Sequence, residues 1–211
     1  MGKVVIVNGS PRKNRNTAQL LKAAQKGAES AGAAVEYVDL YDLNFTGCRS
    51  CLACKRKNGS HPGCAWKDDL SPLLDRIFAA DSLIIGTPIY YGEPTAQFRA
   101  FLERLVFCTM PYEKGSYFQG TVNAGVVYTM NAPQSYYEDN LRPYLDRIEG
   151  LINRGLHGEV YSYAACDTLQ VNDYSKYDMA NFSEEKKRAH REEQFPKDLE
   201  ACFMLGAKLG N

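Results

Sequence analysis

Apolar residues along the chain form short continuous runs, which are separated by stretches with helical spacing. Residues 4–7 are a continuous apolar run, which is typical of a strand buried on both faces of a sheet. Comparable runs predict further strands over residues 35–40, 83–85, 121–128 and 159–164. The chain is therefore expected to contain five strands.

Between these strands, apolar residues recur three and four positions apart, as they do on one face of a helix. This spacing predicts helices over residues 16–32, 68–80, 98–106 and 141–152, with Pro143 near the first turn of the last one. Strands that alternate with helices form a parallel sheet with helices on both faces. The prediction is therefore an α/β fold with a doubly wound, five-stranded parallel sheet. An α+β fold with mixed strands is the alternative.

The alternation of strands and helices stops after the fifth strand. Residues 167–196 are polar and contain tyrosines, and a charge-dense helix is predicted to start near Ser183. A short final helix is predicted to follow it. We therefore divide the chain into a domain over residues 1–166 and a C-terminal arm over residues 167–211, which packs on the domain or on a partner subunit.

The net charge of the chain and the length of its apolar runs indicate which kinds of partner it can bind. Among 211 residues, 25 Lys and Arg match 25 Asp and Glu, so the formal net charge is zero. A nucleic-acid-binding protein usually carries a basic excess, so we expect no nucleic-acid partner. No apolar run approaches the ~20 residues that a membrane-spanning helix needs, and the chain opens directly into a strand. We therefore expect no membrane partner and a cytoplasmic location, where thiols stay reduced.

The loop between the first strand and the first helix has the composition of an anion site. Residues 8–17 read NGSPRKNRNT, in which Ser10, Asn16 and Thr17 offer short hydrogen-bonding side chains and Arg12 adds positive charge. The N–H groups at the start of a helix attract anions. The loop is neither GxGxxG nor GxxxxGK[ST], so it favours one terminal phosphate over a dinucleotide or a nucleoside triphosphate. The alternative is a capped helix start, with Asn16 or Thr17 as the cap.

Two further loops leave predicted strands at the same edge of the sheet. Residues 86–94 read GTPIYYGEP, where Tyr90 and Tyr91 can flank a ring and Gly92 lets a flat ligand approach the backbone. Residues 129–134 read TMNAPQ and offer small and amide groups. Tyrosines that pack on the core are the alternative for the first of these loops. A phosphate site beside two loops suited to a planar ring predicts a phosphorylated aromatic cofactor, and FMN fits.

Four cysteines lie within residues 48–64, CRSCLACKRKNGSHPGC. Cys48, Cys51 and Cys54 are each separated by two residues, and Cys64 follows after nine more. The first three match the start of the bacterial ferredoxin run. An iron–sulfur cluster, a zinc ion held by four thiolates and metal-free thiols are all open alternatives. The long spacing before the fourth cysteine favours metal-free thiols, although a flexible loop could still close it.

Several motifs, in their order, resemble a known family. GSPRKNRNT, CRSCLAC, GTPIYYGEPTAQFRAFLERL and the ending FPKDLEACFMLGAKL together resemble the flavodoxin-like NAD(P)H-dependent FMN reductases, which include the iron–sulfur flavoproteins. The likeness covers nearly the whole chain. It implies a flavodoxin-like fold and an enzyme, an FMN-dependent NAD(P)H oxidoreductase. Such a flavoprotein takes hydride from a nicotinamide cofactor and passes electrons to a small acceptor such as a quinone or free flavin.

Two other functions stay open beside this one. The first is an iron–sulfur flavoprotein that acts as an electron-transfer relay, and the second is a non-catalytic flavodoxin-like binding module. The family's compact cysteine motif holds a [4Fe-4S] cluster, which makes Cys48, Cys51, Cys54 and Cys64 tentative ligands. The spacing before Cys64 departs from that motif. Because the family is commonly dimeric, we also expect a homodimer or a higher homo-oligomer.

The resemblance also implies which residues bind the cofactor. The residues expected to hold the phosphate are Ser10, Arg12, Asn16 and Thr17. Those expected to border the isoalloxazine ring are Pro88, Ile89, Tyr90, Tyr91, Gly92, Thr129, Met130 and Asn131. Hydride transfer between two cofactors depends on stacking and orientation, so no catalytic side chain is expected.

Overall fold

The computed structural model describes residues 1–59 and 61–211 and contains one twisted sheet. The strands are β1 (Lys3–Asn8), β2 (Ala34–Asp39), β3 (Ser82–Tyr90), β4 (Glu93–Pro94), β5 (Val122–Thr129) and β6 (His157–Ala165). The order is β2-β1-β3-β5-β6, and all neighbouring pairs on this path are parallel. The short β4 pairs with the end of β3 in the antiparallel sense. The predicted doubly wound parallel sheet is therefore confirmed.

Within the described residues, six α-helices connect and cover the strands. They are α1 (Asn16–Ser30), α2 (Leu70–Phe78), α3 (Ala96–Thr109), α4 (Gln134–Tyr136), α5 (Arg142–Leu156) and α6 (Glu184–Gly210). A single π-helical turn joins α4 to α5, and Pro143 lies in the first turn of α5, as expected. Each helix predicted before residue 167 is present, with ends that differ by a few residues.

Both faces of the sheet are buried, which explains the continuous apolar run of β1. Val5 and Val7 pack with α2, α3 and α5 on one face. Val4 and Ile6 pack with α1 and α6 on the other. Successive side chains of a strand point to opposite faces, so a strand between two helical layers needs apolar residues at every position.

Helix α6 differs from the two helices predicted for this part of the chain. It runs without interruption from Glu184 to Gly210, with Pro196 inside it. Proline lacks an N–H and cannot donate to the carbonyl four residues earlier, which is why the sequence indicates a break there. The flanking turns persist because Phe195 and Cys202 are buried against the sheet and α1. The boundary between the domain over residues 1–166 and the arm over residues 167–211 stays a prediction.

The packing of α6 on α1 requires glycine at the crossing. A Cβ atom on Gly206 would lie 1.9 Å from the backbone oxygen of Ala24, and one on Gly27 would lie 1.9 Å from that of Phe203. The two backbones are thus in direct contact.

Among the described residues, no helix is both long enough and apolar enough to cross a bilayer.

The strand order creates a crevice at one edge of the sheet. β1 and β3 are neighbours, and their carboxyl ends meet where Asn8 lies opposite Gly86. The chain leaves β1 towards β2 on one side, and it leaves β3 towards β5 on the other. Ligands of open parallel sheets bind at such a switch point, beyond the carboxyl ends of the strands.

Candidate functional site

An open cavity lies at the switch point between β1 and β3. The cavity is lined by Ser10, Arg12, Arg15, Asn16, Thr17, Pro88, Ile89, Tyr90, Thr129, Met130, Asn131, Thr168 and Gln170. The structure therefore brings together ten of the twelve residues predicted to bind the cofactor.

One end of the cavity is the N-terminus of α1. Arg15 is the N-cap residue, its side chain makes no capping hydrogen bond within the described part of the chain, and the first turn carries no acidic residue. The first N–H groups of a helix have no partner inside the helix, so they remain available to an anion. The alternative in which Asn16 or Thr17 caps the helix is wrong. The uncapped start leaves a place for a phosphate group.

The side chains at this end are fixed by other parts of the chain. Thr17 Oγ1 and Thr129 Oγ1 are 2.7 Å apart and buried, so a hydrogen bond ties α1 to the end of β5. Asn16 Nδ2 donates to the carbonyl of Leu169 at 3.0 Å, and Arg12 Nη2 donates to the carbonyl of Gln170. The segment after β6 therefore closes over the start of α1.

The opposite wall comes from β3 and its hairpin. Pro88, Ile89 and Tyr90 line the cavity, and β3 extends to Tyr90 rather than ending at residue 85 as predicted. Tyr91 and Gly92 form the two-residue turn to β4, with φ values of 51° and 88°. Glycine tolerates such a φ, while a tyrosine there is uncommon. The structure places Tyr91 in solvent, and neither turn residue borders the cavity.

The loop after β5 forms the third wall, and α6 holds it in place. Lys187 is only 5% exposed, and its ammonium donates to the carbonyl of Asn131 at 2.7 Å and pairs with Asp167. Asn131 also lines the cavity, and its Oδ1 is buried without a donor among the residues described. A buried acceptor of this kind is costly unless it finds a partner. A polar edge of a bound ring could supply that partner.

Three residues of the cavity were not among those predicted. Arg15 lies within the loop of residues 8–17 that the sequence suggested as an anion site, and Thr168 and Gln170 lie within the predicted arm. Thr168 and Gln170 lie in the segment that follows β6. Every loop at the carboxyl edge of a parallel sheet can reach the switch point, so their place after β6 is the signal that could have found them.

The four clustered cysteines border a second, separate pocket. Cys48, Cys51, Cys54 and Cys64 all line it, together with Cys108 from α3. All are free thiols. The pKa of Cys54 is raised, chiefly by its burial and further by the neighbouring thiols of Cys64, Cys48 and Cys51. The thiols that the sequence groups together are thus also neighbours in space.

The arrangement of these thiols bears on what they could hold. Within residues 1–59 and 61–211, no three Cys, His, Asp or Glu side chains are grouped so as to hold one metal ion. A zinc site needs four ligands at about 2.0–2.3 Å from a single point, so the geometry does not match one. In a [4Fe-4S] cluster each thiolate binds a different iron, so the sulfurs need only surround the cluster. The lining of the thiol pocket offers the thiolate donors that such a cluster requires.

The fold and the site together define a class. A parallel sheet in the order β2-β1-β3-β5-β6, with its cavity at the β1/β3 switch point, is flavodoxin-like. Residues 2–154 match the family model described as NADPH-dependent FMN reductase. The chain belongs to this family.

Curated relatives share part of the chain. An iron-sulfur flavoprotein from Archaeoglobus fulgidus is 34% identical over 116 residues, which are 54% of this chain and 51% of the relative. An iron-sulfur flavoprotein from Methanosarcina thermophila is 30% identical over 104 residues, which are 49% of this chain and 52% of the relative. The chain thus spans about half the length of the curated relatives that it matches.

Solved structures show the same fold over the whole chain. An NAD(P)H:quinone oxidoreductase from Methanothermobacter marburgensis superimposes with a TM-score of 0.73 at 19% identity, covering 100% of this chain and 98% of the other. An azoreductase from Bacillus anthracis superimposes with a TM-score of 0.67 at 15% identity, covering 99% and 100%. At these identities the likeness concerns the fold.

Proposed function

We propose that the protein is an FMN-dependent NAD(P)H oxidoreductase that passes electrons to a small acceptor such as a quinone or free flavin. The observation that carries this proposal is the single cavity at the switch point, which joins the uncapped start of α1 to a wall of Pro88, Ile89 and Tyr90. One end suits a phosphate and the other suits a flat ring. Membership of the NADPH-dependent FMN reductase family supports the same cofactor.

Each end of the cavity has its own role in this proposal. Ser10, Arg12, Asn16 and Thr17, with the backbone N–H groups of α1, hold the phosphate. The ring is bordered by Pro88, Ile89, Tyr90, Thr129, Met130 and Asn131, while Tyr91 and Gly92, which the sequence also suggested, lie at the turn outside the cavity. FMN supplies the hydride and electron chemistry when bound, while the side chains orient it and limit access of water. Hydride transfer from the nicotinamide to the flavin needs no side chain to move a proton, so no catalytic residue is assigned to that step.

The test is anaerobic reduction of the bound cofactor. The FMN-loaded protein is mixed separately with NADPH and NADH, and the absorbance of oxidised flavin is followed. The proposal expects that at least one nucleotide removes this absorbance and that a quinone or free flavin restores it. Bleaching by dithionite but by neither nucleotide would instead support a non-catalytic flavin-binding module.

A second candidate function is that of an electron relay through an iron–sulfur cluster. The observation in its favour is the thiol pocket, where Cys48, Cys51, Cys54 and Cys64 would hold a [4Fe-4S] cluster that exchanges single electrons. The names of the curated relatives agree with it, whereas the nine residues between Cys54 and Cys64 favour metal-free thiols.

Metal and sulfide analysis separates the two functions. A relay requires about four iron and four acid-labile sulfide per chain after anaerobic purification. Cys51→Ser should then remove the cluster absorbance and leave FMN binding intact, because the phosphate site is on another loop. Cys202→Ser is the matched control, since Cys202 is buried between α6 and α1. Metal-free wild-type protein with a full complement of FMN would exclude the relay.

A further inference from the structure

Arg104 of α3 lies beside the thiol pocket although it is almost completely buried. It is 2% exposed, and it lines the pocket together with Cys54, Cys64 and Cys108. A buried guanidinium loses its hydration, so the groups around it must compensate for its charge and its hydrogen bonds. Those groups therefore indicate what the pocket is built to hold.

The two Nη atoms of the Arg104 guanidinium form hydrogen bonds and an ion pair with neighbouring groups. Nη1 forms an ion pair with the Asp68 carboxylate and also donates to the carbonyl of Thr46 at 3.3 Å. Nη2 donates to Ser71 Oγ at 2.7 Å. These contacts hold the guanidinium plane in one orientation. They use the Nη atoms and leave the Nε edge free to face another group.

Among the described residues, the Nε–H of Arg104 makes no hydrogen bond of standard geometry. This nitrogen is buried. Cys64 is the thiol that lies against this guanidinium. An arginine guanidinium keeps its proton in proteins, and the Asp68 carboxylate that pairs with Arg104 favours the charged form further. The positive charge at the pocket is therefore permanent.

An unpartnered donor with a permanent charge suits an anionic sulfur group. Hydrogen bonds to the sulfurs and the charge nearby are two of the factors that set the reduction potential of an iron–sulfur cluster. Reduction adds one negative charge to the cluster. A fixed positive charge close to it stabilises the reduced form more than the oxidised form, and so raises the potential.

We propose that Arg104 is a positioning residue of the thiol pocket, whose Nε–H donates to a sulfur of a [4Fe-4S] cluster and whose charge raises the reduction potential of that cluster. The proposal rests on the second candidate function, in which the four clustered cysteines hold the cluster. Asp68, Ser71 and Thr46 keep the guanidinium oriented towards it.

The hydrogen bond from the Nε–H of Arg104 to the cluster is tested first, in the wild-type protein. Protein carrying ¹⁵N-labelled arginine is purified anaerobically and reduced with dithionite, and pulsed EPR then measures the coupling of nitrogen to the cluster spin. A ¹⁵N coupling is expected, and Arg104→Lys should abolish it. Arg49→Lys is the matched control, because Arg49 borders the same pocket but its Nε already donates to Thr46 Oγ1 at 3.2 Å. That variant should keep the coupling.

The charge is tested by a redox titration of the cluster. Removing both charges with Arg104→Gln and Asp68→Asn leaves no unpaired buried carboxylate. This double variant should shift the equilibrium between reduced and oxidised cluster about tenfold towards the oxidised form. That shift lowers the one-electron midpoint potential by about 59 mV. Arg104→Lys keeps the charge and should show a smaller shift. Asp68→Asn alone keeps the guanidinium and should not lower the potential.

The outcomes separate this inference from the function on which it depends. Wild-type protein without iron and sulfide overturns the cluster and the role of Arg104 together, while FMN binding is unaffected. An iron-loaded wild type without ¹⁵N coupling, or a double variant with an unchanged potential, overturns the role of Arg104 alone. If the double variant does not fold, the labelled wild type and Arg104→Lys still decide the question.

Discussion

Two threonine hydroxyls connect the phosphate end of the cavity to its ring end. Thr17 lies in the first turn of α1 and Thr129 ends β5, and their Oγ1 atoms are 2.7 Å apart in a buried position. Each hydroxyl satisfies the other, so neither is left without a partner. The bond holds two walls of the cavity at a fixed separation that no local sequence preference defines.

Replacing Thr129 with valine tests this connection. The change keeps the shape of the side chain but leaves the Thr17 hydroxyl buried without its partner, which should cost about 1–3 kcal/mol of unfolding free energy. Urea denaturation measures the loss. Thr121→Val is the control, because Thr121 is exposed just before β5 and should change stability by less than about 0.5 kcal/mol. Equal stability of the two variants would contradict the assignment.

For single residues, the sequence predicts which ones lie at the cavity better than it predicts which other residues they contact. Ser10 and Asn131 could be predicted from their place just after strand ends, and Pro88 from its place near the carboxyl end of β3, because parallel strands bring those ends together. The sequence could not show that Asn16 would be held by Arg191 of α6, which donates to Asn16 Oδ1 at 2.8 Å. That contact depends on how residues 167–211 fold back over α1.

The crossing of α6 and α1 is the tightest contact between elements described for this fold. At this crossing a glycine of each helix faces the backbone of the other, Gly206 against Ala24 and Gly27 against Phe203. A side chain as small as alanine would need the backbones to separate. Lys187 of α6 also donates to the carbonyl of Asn131 in the cavity wall, so a displacement of α6 would disturb the cavity at the switch point.

Substitution of Gly206 with alanine should therefore destabilise the protein. Alanine normally stabilises a helix by about 0.5–1 kcal/mol relative to glycine, but here overpacking should cost about 1–3 kcal/mol or more. Gly150→Ala in α5 is the matched control, since nothing lies within 4 Å of its Cβ position. Thermal unfolding should show a lower midpoint for the first variant and an equal or higher one for the second. A stabilised Gly206→Ala protein would rule out the close crossing.

The order of strands and helices could be predicted because two periods alternate along the chain. Doubly buried strands give continuous apolar runs, and half-buried helices give spaced ones. The β3–β4 hairpin was missed because its turn, Tyr91-Gly92, lacks a common hairpin sequence and β4 has only two residues. The uninterrupted α6 was missed because burial of Phe195 and Cys202 outweighs the local effect of Pro196.

Helix α6 contributes to the core of the whole molecule, and this affects how the arm can be studied. Phe195, Cys202 and Leu209 are buried with α1 and the sheet. Deletion of residues 167–211 would remove them and expose apolar surface of the sheet. Point variants on the exposed side of the arm are therefore the appropriate test of its role in assembly.

We predict that the arm takes part in a homodimer or a higher homo-oligomer. Tyr177 and Phe182 are large apolar side chains of this segment that remain exposed in the single chain. Changing both to lysine should shift the mass measured by light scattering towards that of one chain. Tyr112→Lys is the control, because Tyr112 is even more exposed than Tyr177 and Phe182 but lies after α3, outside the arm. A wild-type protein with the mass of one chain at all concentrations would refute the prediction.

The central claim is that the start of α1 holds the phosphate of FMN, and comparison of FMN with riboflavin tests it most directly. The two ligands share the ring and differ in the phosphate. Fluorescence titration of the cofactor-free protein should show FMN binding at least about tenfold more tightly, which corresponds to ~1.4 kcal/mol of binding free energy. High salt should reduce the difference, since screening weakens attraction of the phosphate to Arg12 and Arg15. Equal affinity for the two flavins would contradict the account.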